Sequence, residues 1–307
     1  MSLPLFWSSP IRRQTWSAMI CGAVGFAFIG MDLPSARADE ITALQNAARK
    51  VNLAGRQRML TQFMAKSACF ASMNVRYDHH RQKAGFSHYL FAETLHGLRN
   101  GSVVQGMLPE THDTVLKGLD TVEAHWSKYG AAVETWVAAT GDFTQALNDV
   151  FALNVPTLKA MNDTVKLIEV AYGGSGAMDP GLALAINVAG RQRMLSQKAS
   201  KEFCLIARGI STEATRAALT KTISLFSTSL ERLKSGDADG TMPGAPSNAI
   251  KSQLELVSAR WAPFKVVLQK VADGASVSKA DIAFIADNNE DLLAAMNKAV
   301  FLYEEVS

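Results

Sequence analysis

Asn52-Leu-Ala-Gly-Arg-Gln-Arg-Met-Leu-Thr-Gln62 returns 135 residues later as Asn187-Val-Ala-Gly-Arg-Gln-Arg-Met-Leu-Ser-Gln197, with nine of eleven positions identical. The same offset, without a gap, pairs Lys66 with Lys201, Cys69 with Cys204, Trp126 with Trp261, Asn154 with Asn289, Met161-Asn162 with Met296-Asn297 and Glu169 with Glu304. Self-similarity at one fixed spacing over so long a span predicts a single structural unit used twice.

The stretch also predicts the type of unit. Asn52, Gly55, Met59, Gln62, Lys66 and Cys69 are separated alternately by three and four residues, so they form one stripe along a helix. Ala54, Gly55 and Ala65 are small enough to let a second helix approach closely, which makes this side a packing face. Elsewhere the apolar residues recur at helical spacing, and period-two runs of β-branched residues are absent. Helices are expected near 40–76, 83–99, 110–139 and 142–171, with breaks at Asn100-Gly101, Pro109-Glu110 and Gly141-Asp142, and again about 135 residues later, with Ser278 as a cap. The expected fold is all-α, with two tandem four-helix-bundle modules related by a pseudo-twofold. Their expected limits are 39–172 and 181–307, joined by a Gly-rich linker over 173–180. Four alternating helices return the chain to its starting end, so the two motif helices are expected to be parallel and in contact.

Residues 1–38 read as a targeting segment rather than as part of the fold. Arg12 and Arg13 precede an apolar run from Trp16 to Met31, followed by Ala36-Arg37-Ala38, a small-residue cleavage pattern. The run is shorter than the ~20 residues that span a bilayer. A cleaved signal peptide and a periplasmic location are expected. The Arg12-Arg13 pair is a partial twin-arginine signal, so the export route stays open. Beyond residue 38 the chain carries 28 Lys and Arg against 27 Asp and Glu, without a basic stripe interleaved with aromatics, which argues against a nucleic-acid partner.

The N-x-A-G-R-Q-R-M-L-[ST]-Q string resembles the N-terminal domain of type IV pilus methyl-accepting chemotaxis transducers (PilJ-type), and is similar to the shorter P-box of the nitrate and nitrite sensor kinases NarX and NarQ. The resemblance implies a helical bundle, two tandem copies of the PilJ-type domain, and a sensory role in a chemotaxis or type IV pilus setting. In the nitrate sensors a glycine and an arginine three residues later bind the anion, which here implies Gly55 and Arg58 with Gly190 and Arg193. Arg56 and Gln57 agree better with the pilus family.

The residues support an anion site on physical grounds. Across a pseudo-twofold, Arg58 and Arg193 would face each other, and two such charges ~5 Å apart repel by ~3 kcal/mol at an effective dielectric near 20. A planar oxyanion such as nitrate suits paired guanidinium forks. Gln62 and Gln197 either complete a polar site or fix the helix register. The alternative is that each arginine pairs with a carboxylate inside its own bundle. Structural salt bridges are expected for Arg56 and Arg191, and core positions for Met59 and Met194. Cys69 and Cys204, at equivalent positions, are expected to form a disulfide, the alternative being two unpaired buried thiols.

All six histidines, at 79, 80, 88, 96, 112 and 125, fall in the first half, with surface or loop positions expected and no metal-ligand spacing. Nucleophile elbow, P-loop, dinucleotide fingerprint and zinc-protease helix are all missing from the sequence, so neither an enzyme nor a cofactor is expected. The expected function is a periplasmic small-anion (nitrate- or nitrite-like) sensor or accessory protein reporting to a membrane-bound signalling or transport partner. The alternative is a structural or assembly factor of a pilus or envelope machine, in which the motif only packs helices. A third reading, a cofactor-bearing or catalytic bundle, rests only on the twin-arginine pair.

Overall fold

The computed structural model describes residues 41–173, 179–210 and 212–306. The expected signal segment, 1–38, and most of the expected join, 174–178, lie outside them. From Ile41 onward the chain clusters as one compact unit. Its described residues form eight helices: α1 (Ala43–Ser72), α2 (Tyr77–Asn100), α3 (Asp113–Ala138), α4 (Thr144–Gly173), α5 (Pro180–Ala207), α6 (Thr212–Ser235), α7 (Asn248–Ala272) and α8 (Lys279–Glu305).

The helix ends follow local chemistry. Thr42 caps α1 in a reciprocal box with Gln45, and Ser278 does the same for α8 with Asp281. Asp179 accepts from the Leu182 amide while Pro180 occupies the first turn of α5, where its missing N–H costs nothing. Helix α2 starts six residues earlier than the expected 83. The chain reverses within Met73–Arg76 by placing Asn74 (φ 57°) and Arg76 (φ 45°) in the left-handed region, so a turn without glycine or proline did its work unannounced. Helices α4 and α7 run through Pro156 and Pro263.

Helix α1 packs on α2 and α4, α3 on α4, and α2 on α3, closing one antiparallel bundle; α5 to α8 repeat the scheme. Trp126 stacks on Phe91 with ring centroids 4.0 Å apart, and Trp261 on Phe226 at 3.9 Å. The motif glutamines serve this scaffold: Gln57 Nε2 donates to Phe91 O and Gln192 Nε2 to Phe226 O, both at 2.8 Å. The bundles join along α1 and α5. Cys69 and Cys204 are bonded there with Cα atoms 6.1 Å apart. Further back on the same two helices, a Cβ on Gly55 would stand 3.9 Å from Gly190 Cα. Two equivalent pairs meeting four turns apart make the motif helices parallel and in register. Because α1 faces its own bundle and also α5, every residue from Lys50 to Ala71 except Arg56 is buried. A helix covered all round has no solvated face, which is why its polar motif residues sit inside.

Candidate functional site

The seam between α1 and α5 carries polar residues in layers. In the first, Arg58 Nη2 crosses to the second bundle, donating to Asn187 Oδ1 at 2.8 Å and to Asn187 O at 3.3 Å. Arg193 Nη2 makes the mirror-image bonds to Asn52 Oδ1 at 2.9 Å and Asn52 O at 3.0 Å. Each asparagine passes its amide to a carboxylate: Asn187 to Glu169 at 2.5 Å and Asn52 to Glu304 at 2.6 Å. The acid therefore lies on the same bundle as the arginine it balances, one asparagine removed. The expected alternative of a direct own-bundle carboxylate partner is thus corrected to an amide of the opposite helix.

Gly55 and Gly190 set the spacing. Both arginine Nη2 atoms lie within 3.5 Å of where a Gly55 Cβ would stand, and within 3.7 Å of the corresponding point on Gly190. Hydrogen at both positions lets the two guanidinium groups and the two backbones share this space without crowding. Arg58 is 3% exposed and Arg193 4%. Burial, with Arg191 adding to it and Glu169 opposing, pushes the Arg58 pKa down to about 9. Burial likewise takes Arg193 to about 9, with Arg56 and Arg58 adding and Glu304 opposing. The Nε atoms of both are buried without a hydrogen-bond partner. Such a group costs free energy unless something accepts from it.

The next layer uses lysines. Lys201 crosses to the first bundle, donating to Gln62 Oε1 and Asn154 Oδ1, each at 2.8 Å. Lys66 crosses the other way to Asn289 Oδ1 at 2.8 Å. Burial lowers Lys66 to about 7 and Lys201 to about 8. Gln62 also donates to Asn154, and Gln197 to Ser196. Gln62 thus bonds within this lysine layer, Gln197 reaches Ser196 with its Oε1 buried and unpartnered, and Gly55, Arg58, Gly190 and Arg193 come together in the arginine layer. Below both lies the Cys69–Cys204 disulfide. Asn52, Asn187, Lys66, Lys201, Asn154 and Asn289 had no role assigned from sequence, although each is identical at the 135-residue offset.

Other expected positions differ. Arg56 Nη2 donates to the Thr94 hydroxyl at 2.8 Å rather than forming the expected salt bridge. His80, expected at the surface, is 1% exposed and stacks on Phe70. Met59 and Met194, by contrast, are buried as expected of core positions. Among the described residues, no group of three His, Cys, Asp or Glu side chains could hold a metal ion, and no helix is long and apolar enough to cross a membrane.

The family described as Type IV pili methyl-accepting chemotaxis transducer N-term matches residues 41–150 and 178–283. The chain is similar to the methyl-accepting chemotaxis protein McpN of Pseudomonas aeruginosa, 32% identical over 117 residues, which are 38% of this chain and 21% of that relative. The match thus spans about a fifth of the relative's length. No solved structure matches the chain.

Proposed function

Because this chain belongs to the family of type IV pili methyl-accepting chemotaxis transducer N-terminal domains, we propose that it is a non-catalytic periplasmic sensor that binds a small planar oxyanion, of the nitrate or nitrite kind, between Arg58 and Arg193. Occupancy is reported to a membrane-bound signalling or transport partner. On this reading the repeated motif is two tandem copies of the family's domain, and the seam is the counterpart of the nitrate sensors' paired P-box helices. A signal peptide over residues 1–38 delivers the chain.

The observation that carries the reading is the pair of buried guanidinium groups meeting over Gly55 and Gly190, each with an Nε that has no acceptor. A planar anion offers acceptors to both forks at once and offsets two like charges in a poorly solvated place. Isothermal titration calorimetry with nitrate, nitrite, sulfate, phosphate and acetate tests it. Nitrate or nitrite is expected to bind with one site per chain, and Arg58→Ala or Arg193→Ala to abolish the heat. Equal binding by parent and both variants would overturn the shared site.

A second reading, a packing role in an envelope assembly, is favoured by one specific feature: the Nη2 atoms are already satisfied by Asn52 and Asn187. It predicts that the same variants lose stability while no anion in the panel binds the parent.

A further inference from the structure

Arg58 and Asn187 also lie at the wall of a cleft of about 560 Å³ bounded by α4, α5 and α6. Its size is that of a site for an organic small molecule. Six cations line it, Arg58, Lys159, Lys166, Arg191, Lys198 and Lys221, against one lining carboxylate, Asp163. Several of these charges are already answered: Lys159 and Lys166 by Asp163, and Lys198 by Glu202. Arg191 and Lys221 are left to face the cleft, the buried Arg58 stands in its wall with Nη2 on Asn187, and Glu169 is the acid acting on both arginines. The remaining wall is apolar, with Leu158, Met194 and Leu195 below and Val155 and Leu225 exposed at the rim by 58% and 40%.

The 135-residue offset shows how particular this face is. Arg191 is the counterpart of Arg56, and Ser229 that of Thr94. The Nε atoms of both arginines are buried without a partner, but Arg56 Nη2 donates to Thr94 whereas Ser229 Oγ is buried with no partner, and Arg191 lines the cleft instead. Lys159, Lys166, Lys198 and Lys221 correspond to Ala294, Phe301, Phe63 and Phe86. A scaffold built on a pseudo-twofold has therefore repeated the two arginines but placed these four lysines on one side only. Solubility alone does not require a half-buried arginine withheld from an available hydroxyl.

We propose that this cleft binds an amphiphilic organic anion, with its acid group held by Arg191 and Arg58 and its apolar body lying on Leu158, Leu225 and Val155. The proposal is separate from the small-oxyanion reading and shares only Arg58 with it. A bare inorganic anion would leave the apolar rim exposed, and a neutral apolar molecule would leave the Nε of both arginines without an acceptor, so the chemistry of the walls selects a molecule with both parts.

Calorimetric titration of the full chain with octanoate tests it, with sulfate and 1-octanol as the head-only and tail-only comparisons. Octanoate is expected to bind at least tenfold more tightly than either. Arg191→Gln should weaken octanoate at least tenfold, and Leu225→Asp should do the same from the apolar side. Should Arg191→Gln fail to fold, Lys221→Glu on the exposed rim takes its place, with a several-fold loss expected. Arg193→Ala, which lies outside the cleft, should remove any nitrate site yet leave an octanoate site that still depends on Arg191 and Leu225, so the two readings fail separately. Octanoate binding no tighter than sulfate, or equal in parent and both charge variants, overturns the proposal.

Discussion

Arg58 and Asn187 sit on opposite bundles, yet the guanidinium of one bonds the amide and the backbone carbonyl of the other, and that amide bonds Glu169 on the arginine's own bundle. The asparagine thus works as a polar bridge between a buried cation and a carboxylate that do not touch. Asn187→Ala removes both bonds at once and is expected to destabilise the fold by about 1–3 kcal/mol. Asn52→Ala, which breaks the mirror-image bridge, should cost a similar amount. Urea unfolding at neutral pH measures both, and a loss confined to one of the two would show that the layer is not symmetric in energy.

The Cys69–Cys204 bond closes a loop of sequence separation 135 between the two bundles. Restricting the unfolded chain over such a length stabilises by roughly 2–5 kcal/mol in the chain-entropy account. Cys69→Ser with Cys204→Ser should lower the denaturation midpoint accordingly, and reductant should lower the parent to about the same value. Thiol titration of the unfolded, unreduced chain without residues 1–38, and so without Cys21, should find neither Cys69 nor Cys204 reactive.

At Gly55 a methyl group would stand 3.3 Å from Arg58 Nη2, slightly tight, and 3.5 Å from Arg193 Nη2, an ordinary contact, both at the ends of long side chains. Gly55→Ala is therefore expected to fold with a small loss, whereas Gly55→Val adds branches aimed at Gly190 and should cost about 1–3 kcal/mol. Thermal unfolding of the two variants should show this graded response. A valine variant as stable as the parent would mean that the helices are free to separate.

His80 gives the protein an acid sensitivity with a readable sign. Burial, then the charges of Lys66 and His79, push its pKa from 6.5 to about 3, and neither ring nitrogen has a partner. The unfolded chain therefore takes up a proton below pH 6.5 that the folded chain refuses until about pH 3, so stability falls as pH drops through that window. Glu110 and Glu290, held at about 2, begin to lose their contributions only below their ordinary 4.5, while Glu169, raised by burial, opposes the histidines between pH 6.5 and 4.5, and Lys66, lowered to about 7, still titrates at the upper end. The slope there should approach but not exceed about 1.4 kcal/mol per pH unit for this residue. His88, half-buried and also lowered by burial, adds in the same direction, so the difference between parent and His80→Phe is the measure. Denaturation midpoints at pH 7, 6 and 5 should converge less steeply in the variant.

Much of this architecture was legible because the sequence states it twice. The offset of 135 located α1 and α5, and four alternating helices implied that these would run parallel. The three-and-four spacing from Asn52 to Cys69 placed Gly55 and Cys69 on one stripe, and both meet their counterparts across the seam. What stayed hidden was hydrogen bonding at a distance. The spacing puts Asn52 on the packing stripe of its own helix, but does not say that Arg193, 141 residues away, reaches it. Nor did it show that Gln62 would answer Lys201 rather than an arginine. His80 was misplaced because a lone polar residue near a helix start carries no period of its own, and its burial depends on Phe70 from the preceding helix.

Having both arginines on one polypeptide has a further consequence. The seam assembles in a unimolecular step, at an effective concentration fixed by the intervening chain rather than by how much protein is present. Ligand affinity at the seam should therefore be indifferent to dilution, as it is not for a site shared between two dissociable subunits. Each flank is also encoded by its own codons, so Arg191 and Arg56 can be tuned independently, a freedom denied to an association of identical chains.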